Sequence, residues 1–486
     1  MRYCFAVISV IPLVSLMSPV LAASQRDSND CNQTRDQDRS IFACTRIIEG
    51  GGETAQSRAI AYNDRGNAYE AKGAHDRAIA DYDEAIRLDP KYAAAYNNRG
   101  NAYDSKGAHD RAITDYDVAI RSDPKYAVAY NNRGNAYYDK GDPDRAIADY
   151  DAAIRLDPIY AAAYNGRGAA YQAKGDLDRA IADFDKAIRV DPKYAAAYNN
   201  RGNAYRAIGD HDRAIADYDV AIRFDPKLAM AYYNRGVAYN AKGDHDRAFA
   251  DFNEAIRLDP KPAMAYNNRG AAYQAKGDLD RAFADFNEAI RLDPKLAVAY
   301  NNRGGAYNDK GDPDRAIADC DAAIRLDPKY AHAYYNRGKA YSAKGDQDRA
   351  IAGYDAAIRL DPKFAFAYFG RGNAYKAKGD LDRTIADYDE GIRLNPKYAA
   401  AYRNRGLAYL YSGSLAKAQA DFKHVYELAP KDAYAALWLD LVERRNKIPS
   451  HLAEAVKRLD MKAWPRARDP RLPRRTDANR VARRRR

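Results

Sequence analysis

One period of 34 residues constrains this chain more than any other feature of its sequence. An Arg-Gly pair recurs with its glycine at every thirty-fourth position from Gly66 to Gly406, without insertions. Eleven units of this length fill residues 59–432, about three quarters of the 486 residues. A unit of this size is too small for a core of its own, so it must bury its apolar face against its neighbours. The sequence therefore predicts a row of stacked units.

Each unit has the pattern of two helices, described here by positions 1–34 with Ala59 as the first position 1. One helical face of the second unit carries residues at i, i+3, i+4 and i+7 spacing: Tyr96, Arg99, Gly100 and Tyr103. Glycine at position 15 predicts a left-handed end to the first helix. Aspartate at position 16 of most units suits the N-cap of the second helix, and proline at position 32 closes every unit.

These positions resemble those of the tetratricopeptide repeat (TPR) family. The matching residues of the second unit are Tyr96, Gly100, Tyr103, Ala112, Tyr116 and Pro124. The resemblance implies an all-α fold, a right-handed superhelical α-solenoid of eleven 34-residue helix-turn-helix repeats with capping helices. It also implies a concave groove lined by the first helix of each unit.

Tyrosine and arginine hold fixed positions in the units. Of the 41 tyrosines, 22 occupy positions 4 and 11, which we interpret as core positions rather than a binding surface. Arginine stands at position 7, where the family usually has leucine. Because an unpaired buried charge is costly, we predict a ladder of ion pairs with the aspartate of position 23. Ten units have that aspartate, as in the pairs Arg99–Asp115 and Arg133–Asp149, and Gly353 replaces it in the ninth. A row of anion-binding arginines is the alternative.

The resemblance implies that positions 2, 5, 9, 12 and 13 face the groove. The predicted partner-binding residues at positions 5 and 9 are Asn63, Asn67, Asn97, Asn101, Asn131, Asn135, Asn199, Asn203, Tyr233, Asn267, Asn301, Tyr335, Phe369 and Asn373. Asparagine donates and accepts, so it can pair with a peptide backbone. Position 5 has no lysine, so the carboxylate clamp of some chaperone-binding TPR domains is not reproduced. The later units are more apolar here, which favours partner helices or extended peptides, or packing against the final helices.

The N-terminal end has the pattern of an exported protein. Residues 1–22 join a basic start, an apolar run and a small-residue exit, which predicts a signal peptide cleaved after Ala22 or Ala23. We therefore expect a periplasmic or secreted protein without a transmembrane segment. Residues 23–58 are predicted to form a cap with a degenerate helix. In an exported protein, Cys31 and Cys44 are expected to form a disulfide, the alternative being a free buried pair.

The C-terminal end carries the net charge. Residues 433–465 are predicted capping helices and resemble the closing segment of bacterial envelope TPR adaptor proteins. Residues 466–486 are predicted to be a disordered Arg-rich tail. From Arg444 onward there are 16 Lys and Arg against 4 acidic residues, a charge of +12, whereas the whole chain carries +11. The tail is interpreted in three ways: as a polyanion-binding segment, as a solvated tail, or as the accidental product of a frame change.

The sequence contains no P-loop, zinc-protease or serine-hydrolase motif. The histidines of position 17 are one repeat apart in adjacent copies, so they are not expected to share a metal centre. We predict no catalytic residue, cofactor or metal, and the oligomeric state stays open. The predicted function is a non-enzymatic protein–protein interaction scaffold or adaptor of the bacterial cell envelope, with a peptide or partner helix in the groove. The alternative is a presenter protein tethered to a polyanion or membrane surface by the tail.

Overall fold

A computed structural model gives the fold and describes residues 26–33, 35–50, 53–429, 433–445, 449 and 452. This part of the chain is helical and contains no β-strand, which confirms the predicted all-α repeat fold. The chain separates into two compact bodies, Met1–Lys242 and Gly243–Arg486, and each is a row of antiparallel helix pairs. The predicted signal peptide and Arg-rich tail lie outside the described residues.

The helices of the first body begin with a short segment and then follow the repeat. They are α1 (26–31), α2 (Gln37–Glu49), α3 (Ala55–Ala71), α4 (His75–Leu88), α5 (Ala93–Ser105), α6 (His109–Ser122), α7 (Ala127–Asp139), α8 (Pro143–Leu156), α9 (Ala161–Ala173), α10 (Leu177–Val190), α11 (Ala195–Ala207), α12 (His211–Phe224) and α13 (Ala229–Ala241).

The helices of the second body continue the same alternation of first and second helices. They are α14 (His245–Leu258), α15 (Ala263–Ala275), α16 (Leu279–Leu292), α17 (Ala297–Lys310), α18 (Pro313–Leu326), α19 (Ala331–Ala343), α20 (Gln347–Leu360), α21 (Ala365–Lys378), α22 (Leu381–Leu394), α23 (Ala399–Ser412), α24 (Leu415–Leu428) and α25 (Ala433–Arg445).

The turn between the helices of a unit follows the predicted cap chemistry. In the second unit Gly107 adopts a positive φ of 73°, a backbone conformation that glycine reaches at little cost. In the third unit the Asp142 side chain accepts a hydrogen bond from the backbone N–H of Arg145, and Pro143 is the first residue of α8. These residues set where the second helix begins, and therefore how it returns along the first.

The core of a unit consists of alanines and one aromatic ring. At position 24, the Tyr116 side chain is only 1% exposed and packs against Ala112 and Ala136. A Cβ atom added at Gly100 would lie 2.6 Å from Tyr116 Cε1. The ring therefore occupies the space that any larger side chain at this position would need. The buried aromatic of position 24 is therefore what brings the two helices of a unit together.

The tyrosines of positions 4 and 11 are less buried than the sequence suggested, because most of them lie half-exposed beside arginines. The Arg99 guanidinium lies 5.5 Å from the centre of the Tyr96 ring, and the Arg111 guanidinium 5.6 Å from the Tyr103 ring. These cation–π contacts repeat along both bodies. They cover the rings from one side and leave the hydroxyls near solvent.

Helix α2 takes the place of a second helix in front of the first repeat. Its Cys44 occupies the position that an aromatic holds elsewhere, is fully buried, and forms a disulfide with Cys31. Helix α3 begins at Ala55, four residues before the predicted unit boundary, because Thr54 accepts a hydrogen bond from the Ser57 N–H and caps it. The predicted N-terminal cap is thus a helix covalently fastened to the segment before it.

Helix α25 covers the other end. Its Trp438 ring stacks on Phe422 with the centroids 6.1 Å apart, and Val442 is fully buried in the same cluster. The second predicted capping helix lies outside the described residues. Among the helices that the structure describes, none has the length and apolar character needed to cross a membrane.

Cys320 replaces the position-24 aromatic in the eighth unit and is completely buried. Burial raises the pKa of its thiol to about 12, and the neighbouring Asp319 and Asp321 add to the increase. Because the thiolate is the reactive form, we expect Cys320 to resist alkylation by iodoacetamide at pH 8 in the folded protein and to react in urea. Mass spectrometry of native and unfolded samples checks this, and rapid labelling of the native protein would contradict it.

Candidate functional site

The arginine of position 7 and the aspartate of position 23 meet as predicted. Arg133 donates from Nε and Nη2 to the two carboxylate oxygens of Asp149, at 2.8 and 2.6 Å. The same bidentate contact is present in Arg65–Asp81, Arg99–Asp115, Arg167–Asp183, Arg201–Asp217, Arg269–Asp285, Arg303–Asp319, Arg371–Asp387 and Arg405–Asp421. The geometry places these guanidiniums in internal pairs, which leaves them poorly suited to bind an external anion.

The third nitrogen of each guanidinium, Nη1, links the arginine's own unit to the unit before it. Arg99 Nη1 donates to Asp83 Oδ1 of the preceding unit at 2.6 Å. At the N-terminal end, Arg65 Nη1 donates to Thr45 Oγ1 at 2.9 Å, so the capping helix supplies the missing acceptor. The ladder is therefore continuous within a body, because each arginine bridges its own unit to the one before.

The ninth unit has lost one rung of the ladder. Gly353 stands at position 23, and the Nε atom of Arg337 is buried without a hydrogen-bond partner in the described part of the chain. Arg337 keeps its contact to the preceding unit, from Nη1 to Asp321 Oδ1 at 2.7 Å, and its position over the Tyr334 ring. A Cβ atom added at Gly353 would lie 3.0 Å from Gly338 Cα on the facing helix, so the site has little room for a side chain.

The asparagines of position 5 do not face a groove, and this part of the predicted binding site is wrong. Asn165 is half-buried, and the other six are between 1% and 6% exposed: Asn63, Asn97, Asn131, Asn199, Asn267 and Asn301. In most units the side chain at position 6 of the next unit donates a hydrogen bond to the position-5 oxygen. Asn98 Nδ2, for example, donates to Asn63 Oδ1 at 3.0 Å. These amides hold neighbouring first helices together.

Where position 6 is glycine, the amide contact is missing. Gly166 holds position 6 of the fourth unit, where an asparagine would donate to Asn131 of the third unit. Asn131 Oδ1 is therefore buried without a partner in the part of the chain described by the structure. The Tyr150 ring fills the vacant space, since a Cβ atom at Gly166 would lie 2.6 Å from it. The amide contacts are thus built unit by unit from pairs of residues 35 positions apart.

The asparagines of position 9 are more accessible. Asn67, Asn135 and Asn373 are exposed, and Asn101 and Asn203 are half-buried. Each of these five accepts a hydrogen bond from the hydroxyl of the position-24 tyrosine, as Asn101 Oδ1 does from Tyr116 at 2.7 Å. Because these side chains are at least partly accessible, the prediction that they contact a partner stays open.

Replacing Asn98 with alanine is expected to lower the free energy of unfolding by about 1 kcal/mol, because it leaves the buried Asn63 oxygen without its donor. Urea unfolding followed by circular dichroism measures the change. Ser105→Ala is the matched control, since Ser105 is exposed on the same helix and also becomes alanine. Equal stability of the two variants would contradict a structural role for the amide contacts.

An aromatic patch lies on the first helices of the ninth and tenth units. It consists of His332, Tyr335, Phe364, Phe366, Phe369 and Tyr398. The His332 and Phe364 rings are 4.5 Å apart, and the Phe366 and Tyr398 rings 5.4 Å. His332 and Phe366 are exposed, the latter by 43%, so this side of the patch is accessible.

Two predicted residues of the patch are less accessible than expected. Phe369 is only 5% exposed, which corrects its assignment to the groove surface. It lies over Gly391, where a Cβ atom would come within 2.2 Å of the ring, while the ninth unit has Ala357 there. Tyr335 is half-buried against Phe364, and Tyr233 of the first body is half-buried as well.

The sequence analysis missed the contribution of position 34 to this patch. Phe364 and Tyr398 end their units and precede the first helices by one residue, so a helical-face pattern does not include them. The available signal was compositional, because aromatic residues accumulate at positions 2, 5 and 34 of the ninth and tenth units.

A basic pair follows the patch. Burial, and then the neighbouring Arg403, lower the pKa of Lys376, which stands at position 12 of the tenth unit. Arg403 stands at position 5 of the eleventh unit, where most units have asparagine. Both basic residues are half-buried, and they lie on the adjacent first helices α21 and α23.

The first body brings a different set of polar side chains together. Asp104, His109 and Asp139 place one ligand-type atom each within 4.8 Å of the others, and His109 Nδ1 lies 2.7 Å from Asp104 Oδ1. Burial and the Asp104 carboxylate raise the pKa of Asp139, an increase that His109 opposes. The sequence analysis expected no metal centre from these histidines.

Helix pairs of constant length, joined by an internal ion-pair ladder, define a helical repeat protein of the α-solenoid class. Comparison with family models gives the family. A TPR repeat model matches residues 66–107, 100–141, 134–175, 202–243, 304–345, 340–379 and 372–413, more than half of the chain. Tetratricopeptide repeat models match residues 161–194, 184–216, 229–262, 263–296 and 399–432. The chain belongs to the tetratricopeptide repeat family, whose members bind protein partners.

Comparison with solved structures gives matches to other proteins of known structure. The APC/C hetero-tetramer Cut9–Hcn1 is 15% identical over 87% of this chain and 98% of that chain, with a TM-score of 0.51. Yeast Tom70 is 17% identical over 82% of this chain and 99% of its own, with a TM-score of 0.44. MamA is 33% identical over 34% of this chain and 96% of its own, with a TM-score of 0.30. The first likeness supports the fold alone, and a search of curated protein sequences gave no match.

Proposed function

We propose that this protein is a non-enzymatic protein–protein interaction scaffold of the bacterial cell envelope, which binds a peptide or a partner helix in the concave groove of its repeats. The observation that carries the proposal is the aromatic patch of the ninth and tenth units in a chain of the TPR family. Exposed apolar clusters are unusual on a protein surface unless they meet a partner. An apolar side chain of a helix or an extended peptide would cover Phe366 and His332.

The chemistry around the patch favours a particular kind of partner segment. Lys376 and Arg403 follow it in the tenth and eleventh units, and they favour a partner that carries acidic side chains beside its apolar one. The exposed amide of Asn373 adds a hydrogen-bonding group between them. We therefore propose an acidic, amphipathic peptide or helix as the ligand of the second body.

Export from the cytoplasm belongs to the proposal as well. The N-terminal signal pattern supports it, and so does the disulfide between Cys31 and Cys44, since disulfides persist in oxidising compartments. The resemblance of the closing segment to bacterial envelope adaptor proteins supports a periplasmic place of action.

The test is capture of partners from envelope extract by the full chain and by a version that ends at Ser450, each washed at low and at high salt. The scaffold proposal predicts that the same proteins survive truncation and high salt, and that Phe366→Ser releases them. Retention that depends entirely on the tail and on low salt would overturn it.

The composition of the C-terminal end favours a second candidate, a presenter protein tethered to a polyanion or membrane surface. Residues 444–486 carry a charge of +12, and binding of such a segment to a polyanion weakens steeply with salt. Elution from heparin separates the candidates. Tethering predicts tight, salt-sensitive retention of the full chain that is lost on ending the chain at Ser450, and equal elution of both versions would exclude it.

A further inference from the structure

Three side chains at the junction of the second and third units take no part in the Arg–Asp ladder or in the amide contacts between first helices. Asp104 lies near the end of α5, His109 is the first residue of α6, and Asp139 is the last residue of α7. Their ligand-type atoms all lie within 4.8 Å of one another, and they come from two adjacent units. The Asp104 and His109 side chains are 21% and 30% exposed, so an ion can reach them.

We propose that Asp104, His109 and Asp139 form a binding site for a divalent transition metal ion, with Zn²⁺ as the ion that the donor set fits best. One imidazole nitrogen and two carboxylate oxygens are ligands that zinc accepts in proteins. The inference is independent of the proposed binding function, because the site lies in the first body and the aromatic patch in the second.

Coordination requires only small movements of these side chains. Bond lengths of about 2.0–2.2 Å place the ligand atoms of a tetrahedral zinc ion about 3.3 Å apart. The 2.7 Å contact between His109 and Asp104 would open slightly, and Asp139 would close from the adjacent helix. Three protein ligands leave a position for water or for a group on a partner. The bound ion would fasten the second unit to the third.

The electrostatics of the junction favour a cation. Among the described residues no Lys or Arg forms an ion pair with Asp104 or Asp139, and the Asp104 carboxylate contacts the ring of His109. Elsewhere in the first body the carboxylates of the ladder have arginine partners at bidentate distance. Two carboxylates this close together repel each other, and a divalent ion would relieve that repulsion.

Other units of the chain supply an internal comparison. The first unit has the pair Glu70 and His75, with the His75 Nδ1 atom 2.9 Å from the carboxylate, but Ser105 stands where the third unit has Asp139. The fifth unit has Arg206 before its histidine, and the sixth has Asn240. Within the residues that the structure describes, the junction of the second and third units alone brings a histidine and two carboxylates together at ligand spacing.

The experiment is a titration of the full-length, tag-free chain with ZnCl₂ at pH 7.5, followed by isothermal calorimetry. The wild-type protein is expected to bind one ion saturably, and His109→Gln and Asp139→Ser are each expected to weaken that binding at least tenfold. Asp139→Ser gives this junction the residue that stands at the junction of the first and second units, Ser105. His75→Gln is the matched control and is expected to leave binding unchanged.

Circular dichroism and thermal unfolding of each variant without metal verify that the repeats remain folded. Zinc is expected to raise the unfolding temperature of the wild-type protein and of His75→Gln, but not that of His109→Gln. Absence of saturable binding would overturn the proposal. Binding that persists in His109→Gln or Asp139→Ser, or that is lost equally in His75→Gln, would overturn it too.

Discussion

Replacement of Asp149 by alanine is expected to lower the free energy of unfolding of the surrounding repeats by about 3–5 kcal/mol, the cost of removing one partner from a buried ion pair. The Asp149 side chain is 8% exposed, and it receives two hydrogen bonds from Arg133, whose side chain is 20% exposed. The hydrogen bond to Asp149 raises the pKa of Arg133 above its ordinary value. The substitution removes that contribution, but an arginine guanidinium stays charged at neutral pH without it. The variant therefore leaves a half-buried cation with only its link to Asp117.

Native-state hydrogen exchange of the amides in α7 and α8 measures this change locally, which suits a repeat array better than one global transition. Asp144→Ala is the matched control on the same helix. The Asp144 side chain is 77% exposed in its pair with Lys174, so its loss is expected to cost at most about 1 kcal/mol. Equal exchange rates in the two variants would contradict a structural ladder and would favour arginines that are free to bind an external anion.

Restoring the missing rung is expected to stabilise the protein. Gly353→Asp supplies the carboxylate that the buried Nε atom of Arg337 lacks, and it replaces a glycine inside a helix. We expect the free energy of unfolding of the ninth unit to rise by about 2 kcal/mol. The gain is limited because Gly338 lies close to the new Cβ atom and the two helices must separate by a few tenths of an ångström.

Gly353→Ala separates the two contributions, because it adds the Cβ atom and the helix propensity without the carboxylate. Urea unfolding is expected to rank the variants with Gly353→Asp as the most stable. A double variant with Arg337→Met should lose the advantage of aspartate over alanine. If alanine stabilises as much as aspartate, the arginine does not need the carboxylate, and the ladder has no energetic role at this unit.

The repeat was readable from the sequence because local chemistry determines it. Glycine at position 15 ends the first helix, aspartate caps the second, and the 34-residue period repeats both signals often enough to locate nearly every element. The Arg–Asp pairing followed from a physical argument, since arginine on a packed face needs a partner. Helix α3 begins at Ala55, four residues before the predicted boundary of the first unit. A local signal, the N-cap at Thr54, also determines this difference.

The site was harder to predict because its residues depend on contacts between units. Asn97 accepts a hydrogen bond at 3.0 Å from Asn132, which lies 35 residues away in the next unit. Phe369 enters the core only because Gly391 lacks a side chain. Neither dependence is visible in the helical pattern of one unit. The general family expectation for position 5 therefore failed in a chain whose asparagines bind each other.

The central claim is that partner binding occurs at the aromatic patch, and one binding measurement tests it most directly. A peptide selected by display on the full chain would be labelled, and its affinity measured by fluorescence anisotropy for wild type, Phe366→Ser and Ile159→Ser. Ile159 is 76% exposed in a loop of the first body and serves as the matched apolar control. The account predicts at least tenfold weaker binding to Phe366→Ser and unchanged binding to Ile159→Ser. Equal affinity for all three proteins would contradict it.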